Sequence, residues 1–248
     1  MPAEPRPVLL VSVRPETPAA AAEAESVRQA AGVPADRFAH LRLDLDTLDT
    51  VDLDAVGAVV IGGSPFNVST PEASKSPVQR RVEADLVRLA EHGLATDLPV
   101  LFTCYGIGVL TRVLGGTVGP EYGEAVGPVS ITLTDEGRAD PLTGTLAEPF
   151  TALAGHKEAT SELPAGATLL ASSATCPVQV YRATGSRVYA TQFHPEVTTD
   201  SFIARATLYR DYGYFPSHEL DDIARVVREA SVPEPLRLLR RFAALADG

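Results

Sequence analysis

Cys104 is the residue around which chemistry can be built. It ends a short apolar run, Leu98-Pro99-Val100-Leu101-Phe102, and is followed by Tyr105-Gly106-Ile107-Gly108. A strand that stops at a thiol and turns on glycines lifts a nucleophile to the start of a helix. A free thiol is only slightly ionised at neutral pH, and a neighbouring imidazolium or a helix N-terminus favours the thiolate. The imidazole on offer is His194, in Gln192-Phe193-His194-Pro195-Glu196-Val197. Glu196 lies two residues beyond it. In an extended segment alternate side chains share a face, so the carboxylate is placed to orient the ring. Gly62-Gly63-Ser64-Pro65 follows a third apolar run, and backbone N–H groups near Gly63 and Tyr105 offer a seat for an oxyanion. The second thiol, Cys176, sits in no such turn and reads as structural packing.

The elements needed to bring these segments together are legible along the chain. Residues 7–13, 38–43, 58–61 and 98–102 read as buried strands. Helices are expected over 17–31, from 76–77 to about 92, and over 107–114. Strands alternating with helices imply a parallel sheet covered on both faces. Ligands then sit beyond the carboxyl ends of the strands, where the three polar segments fall. Beyond residue 128 come short strands split by turns, over 128–133, 150–153, 168–172, 177–181 and 188–192. A helix over 199–209 follows, then a helical end, 217–246, broken at Pro233 and Pro235. The reading is one α/β domain over 1–210 with a helical C-terminal extension over 211–248.

Composition narrows the function. The chain has 248 residues, 45% of them hydrophobic, enough for a sizeable core. A formal net charge of -11 opposes nucleic-acid backbones and anionic membranes alike. No apolar run approaches a membrane span, and the start lacks a basic leader, so a cytoplasmic protein is expected. Two cysteines make no disulfide framework, and no His/Cys cluster has zinc spacing, so neither a metal nor another cofactor is expected. Lys75 and Lys157 are the only lysines, and the alanine- and arginine-rich remainder points to a GC-rich bacterial source.

The Gly-Gly-x-Pro turn, the C-x-G elbow, the QFHPEV segment and ATCPVQVY (residues 174–181), in that combination, resemble the class I glutamine amidotransferases, especially the glutaminase part of GMP synthases. The resemblance runs from about Val8 to about Ala206. It implies a flavodoxin-like open sheet and a Cys-His-Glu triad on Cys104, His194 and Glu196, with the oxyanion held at Gly62, Gly63 and the Tyr105 amide. It also implies acyl transfer, in which the thiolate attacks a side-chain carboxamide, ammonia leaves, and water releases glutamate from a thioester. The chain departs from the family pattern at three places. Gly108 stands where C-x-G-x-Q carries glutamine, Thr103 precedes the nucleophile in place of glycine, and Gly155-His156-Lys157-Glu158 replaces Ser-His-Gly-Asp. Gly108, Glu124, His156 and Lys157 are the expected substrate contacts, with Gly108 making room for a larger substrate. Neither a P-loop nor an S-G-G-x-D-S motif is present, so ammonia would pass to a separate synthetase subunit or be released. Two alternatives stand beside a glutaminase: a γ-glutamyl hydrolase of a larger conjugate, and a catalytically silent binding subunit.

Overall fold

Alternation along the first strands builds two apolar layers from one sheet. The computed structural model describes residues 6–247; residues 1–5 and 248, the ends of the two expected divisions and the start of the chain read as leaderless, lie outside these. The strands are β1 (Val8–Ser12), β2 (Phe38–Arg42), β3 (Ala58–Ile61), β4 (Val100–Thr103), β5 (Thr117–Gly119), β6 (Glu124–Leu133), β7 (Phe150–His156), β8 (Ala159–Glu162), β9 (Ala167–Ser172), β10 (Val180–Ala183) and β11 (Val188–Thr191). The helices are α1 (Thr17–Ala31), α2 (Pro77–Thr96), α3 (Tyr105–Val113), α4 (Asp135–Ala139), α5 (Thr199–Leu208), α6 (Leu220–Glu229) and α7 (Pro233–Ala243).

Nine strands form one sheet in the order β2-β1-β3-β4-β11-β10-β9-β6-β7, and β5 pairs with β8 separately. From β2 to β11 the neighbours run parallel, and from β11 to β7 they run antiparallel. Leu9, Val11, Val59, Ile61, Val100 and Phe102 enter one apolar cluster, against α2 and α3. Val8, Leu10, Ala58, Val60 and Leu101 point the other way, against α1 and α7. The fold is thus a flavodoxin-like open sheet with helices on both faces, its parallel half carrying the polar segments. Leu238, Leu239 and Phe242 of α7 share the apolar cluster of α1 and the sheet. The C-terminal helices are therefore part of the packed body.

Ser76 accepts from the Gln79 amide at the start of α2, with Pro77 in the first turn. The helix runs through Gly93 instead of stopping near residue 92. A Cβ there would lie 2.8 Å from Val100 Cγ2, so the glycine marks close helix–strand packing, not a helix end. Pro233 and Pro235 likewise begin α7 instead of breaking a helix, since the first turn needs no N–H donor from them. Among the described residues no helix is long and apolar enough to cross a membrane.

Candidate active site

Register brings the three polar segments to one edge. Ile61 pairs with Phe102 and Thr103 with Thr191, so β3, β4 and β11 end side by side. The Cys104 amide donates to the Thr191 carbonyl at 2.8 Å, and the Thr103 hydroxyl donates to the Ile61 carbonyl at 2.7 Å. Thr103, the departure from glycine, thereby ties the elbow to the Gly-Gly turn. Cys104 has φ 50° and ψ −101°, a conformation that non-glycine residues rarely adopt. The strain aims Sγ out of the sheet at the head of α3.

His194 hangs on the neighbouring strand end, its amide donating to the Leu153 carbonyl at 3.2 Å. Residues 195 and 196 form a turn instead of the expected extended segment, yet the carboxylate reaches the ring. His194 Nδ1 lies 3.0 Å from Glu196 Oε1, leaving Nε2 for the thiol. Arg205 of α5 donates to the same Glu196 oxygen at 2.7 Å. Burial alone would push the Cys104 thiol up, but His194, helped by His156 and Arg14, outweighs it and holds the thiol below its ordinary value. Burial alone would lower His194, but Glu196 and Cys104 raise it to about 9. Burial would raise Glu196, but His194 and Arg205 hold it well below the carboxylate range. All three directions describe a thiolate–imidazolium pair backed by a carboxylate.

A pH dependence follows. Alkylation of Cys104 by a small neutral reagent is expected to switch on with a midpoint below that of a free thiol, about 8.5. Turnover that uses the His194 proton falls as pH rises through about 9, where the imidazolium loses it. A rate that keeps climbing well past that point would contradict the assignment.

The oxyanion donors differ from expectation. The Gly62 amide donates to the Val11 carbonyl at 3.0 Å, and the Gly63 amide to Glu23 Oε1 at 3.2 Å. Both glycines instead supply space. A Cβ on Gly63 would stand 2.6 Å from His194 Cε1 and 2.8 Å from Arg14 Nη2. The Tyr105 amide, first in α3, has no intrahelical acceptor and remains a donor for the site.

Two clefts flank the thiol. His194, Arg14, Phe202, Tyr209 and Phe215 line one with Cys104. Gly108, Tyr105, His156, Lys157 and Glu158 line the other. Tyr214 borders both. Gly108 opens no extra room, because a Cβ on it would sit 3.1 Å from Val68 Cγ2 and 3.7 Å from Val118 Cγ1. Two valines fill the volume a longer side chain would take. Gly108→Gln is therefore expected to cost about 1–3 kcal/mol through overpacking, less in a Val68→Ala background. Urea unfolding of the double-mutant cycle checks it.

Lys157 Nζ donates to the Tyr212 carbonyl at 2.8 Å and lies 4.5 Å from the centroid of the Tyr214 ring. Its cation is engaged by the segment over the clefts. Glu124 borders neither cleft. Its carboxylate accepts from His156 Nε2 at 2.9 Å, Gln179 Nε2 at 2.7 Å, Ser173 at 3.0 Å and the Thr175 hydroxyl. A direct substrate contact from Glu124 does not fit this geometry; the carboxylate orients His156.

Glu124, His156 and Cys176 bring their ligand atoms within 4.8 Å of one another, a second Cys-His-Glu set. Its chemistry is the reverse of the first. Burial pushes the Cys176 thiol up to about 12, and the S–H donates to the Val178 carbonyl. Both His156 nitrogens are engaged, Nδ1 by the Glu158 carbonyl at 2.9 Å. Cys176 is fully buried and borders neither cleft.

Four side chains around the thiol lie outside the set expected from sequence. Arg14 follows β1, and its position at a strand's carboxyl end was the available signal. Arg205 lies on a helix whose spacing gives no hint of Glu196. Glu158 anchors the amides of Val68 and Ser69, holding the loop after the Gly-Gly turn. Tyr214 has no sequence signal.

Residues 37–205 match the glutamine amidotransferase class-I family model, and the chain belongs to that family. It is similar to the separate glutamine-hydrolyzing chain of the GMP synthase of Halobacterium salinarum, 30% identical over 61% of this chain and 72% of that protein. With the corresponding GMP synthase chain of Natronomonas pharaonis it shares 37% identity over 42% of this chain and 55% of the relative. The chain thus spans about half the length of that relative, and 26% of the single-chain GMP synthase of Christiangramia forsetii. Among solved structures, a glutamine amidotransferase from Thermotoga maritima superposes with a TM-score of 0.75 at 20% identity, covering 96% of this chain and 98% of that one. One from Methylobacillus flagellatus gives 0.68 at 19% identity, covering 98% and 92%. At such identities these likenesses concern the fold.

Proposed function

We propose that this glutamine amidotransferase hydrolyses the side-chain amide of glutamine, or of a related γ-glutamyl compound, through a thioester on Cys104. The observation that carries the reading is the strained Cys104 at a helix start, sharing a cleft with a His194 held by Glu196. Cys104 is the nucleophile, His194 the proton donor to the leaving nitrogen, and Glu196 the group that orients His194. The Tyr105 amide holds the oxyanion, and the Gly63 amide joins it once released from Glu23. Gly108, His156 and Lys157 border the cleft for the acyl portion. A separate synthetase takes the ammonia, as the resemblance to the glutamine-hydrolyzing chains of two-chain GMP synthases suggests, or it leaves to water.

The test measures glutamate and ammonia released from glutamine and from γ-glutamyl amides. It is run with the protein alone and with an ammonia-using GMP-synthesising partner. Equal release of the two products from glutamine supports the reading. Release from no γ-glutamyl compound, under either condition, overturns it in favour of a binding protein that is catalytically silent.

A further inference from the structure

Two clefts meet at Cys104, and only one of them is bordered by the imidazole. A general acid serves the leaving nitrogen, so the His194 side is the leaving-group side. Ammonia needs room for a single nitrogen. Counted with the solvent at its mouth, this cleft holds about 470 Å³ and is walled by Val126, Phe202, Tyr209 and Phe215.

It also holds an unspent cation. Arg14 is buried, with 3% exposure. Its Nε donates to Glu23 Oε1 at 2.7 Å and its Nη1 to the Tyr209 hydroxyl at 3.2 Å. Nη2 makes no hydrogen bond among the described residues and points past Gly63 toward the imidazole. Glu23 lies behind the guanidinium, held by the Ser12 hydroxyl at 2.8 Å and by the Gly63 amide. The pair therefore presents its positive end to the cleft. The other guanidinium there, Arg205, is taken by Glu196. An N–H donor fixed in an apolar, half-closed cleft suits a carboxylate attached to an apolar body.

We infer that the leaving group is an amine bearing a carboxylate and an apolar side chain, so that the substrate is a γ-glutamyl amino acid, its free carboxylate bound by Arg14. This rests on the hydrolase reading above and names its substrate class. The Cys104 sulfur bonds to the γ-carbonyl carbon and the carbon–nitrogen bond breaks. The nitrogen takes the His194 proton and departs as the free amino acid. Water then adds to the thioester carbon, giving one proton to His194, and the thiolate leaves with glutamate released.

The experiment compares kcat/KM for γ-glutamyl-phenylalanine and for its neutral carboxamide, γ-glutamyl-phenylalaninamide, using the wild-type chain. A preference of about 10–100-fold for the acid is expected, the worth of one charge-assisted hydrogen bond. Arg14→Lys should shrink the ratio and Arg14→Met bring it near one. If Arg14→Met fails to fold because Glu23 is left unpaired, the wild-type pair and Arg14→Lys still decide. A wild-type ratio near one, or favouring the amide, overturns the inference. So does turnover of glutamine with neither conjugate cleaved, which leaves the hydrolase reading standing. If no γ-glutamyl compound is turned over and Cys104 resists a glutamine-like electrophile, both fall together.

Discussion

Cys104→Ala is expected to lower glutamine turnover by about 10⁴-fold or more, because every later step runs through the thioester. The fold should survive, since the substitution removes one sulfur and keeps the elbow's other ties, among them the Cys104 amide bond to Thr191 and the Thr103 hydroxyl bond to Ile61. The informative control is Cys176→Ala. Cys176 has the other imidazole and the other carboxylate nearby, yet burial keeps its thiol protonated. Steady-state rates for the two variants, with urea unfolding to verify stability, should separate them by orders of magnitude. Comparable losses in both would mean that reactivity at Cys104 had been misassigned.

Glu196→Gln should produce the next largest effect, about 10²–10⁴-fold in turnover. Its carboxylate performs two tasks, raising His194 and neutralising Arg205. The amide still reaches Nδ1 but stabilises no imidazolium, so the alkaline limb of the rate profile moves to lower pH. The sign follows from the raised value of about 9, which falls back toward the ordinary imidazole value when its anionic partner is removed. Arg205, with 12% of its side chain exposed, is left near another cation, and stability drops by up to about 3–5 kcal/mol. The loss is read by urea unfolding at neutral pH. At low pH the wild type should approach the variant, because a depressed carboxylate stabilises the fold above its unfolded value and stops doing so as it protonates. A variant with an unmoved alkaline limb would mean that Glu196 does not set the proton affinity of His194.

The parallel half of the fold was legible because each strand there is a continuous apolar run ended by a small-residue turn. Three polar segments at strand ends sufficed to assemble Cys104, His194 and Glu196. Glycine and proline were harder to read. Gly93 lies inside α2 because β4 packs against it, and Pro233 opens α7 because a first turn needs no donor from it. Both residue types punctuate local structure, but tertiary packing decides which punctuation is meant. The substrate contacts were the least legible part. Whether Gly108 is an opening depends on Val68, forty residues earlier, and whether Glu124 faces substrate depends on Ser173, Thr175 and Gln179. Arg14 is defined by Glu23 behind it and Tyr209 beside it, a relation between segments that no local pattern carries.

The most direct test of the central claim is covalent capture with a diazoketone analogue of glutamine, read by intact mass and peptide mapping. The account predicts one label per chain, on Cys104, forming rapidly and saturably and blocked by glutamine. Cys176 should stay unmodified. Labelling of Cys176 in preference, or equal slow labelling of both thiols unaffected by glutamine, would contradict the claim that Cys104 is an activated nucleophile in a glutamyl-binding site.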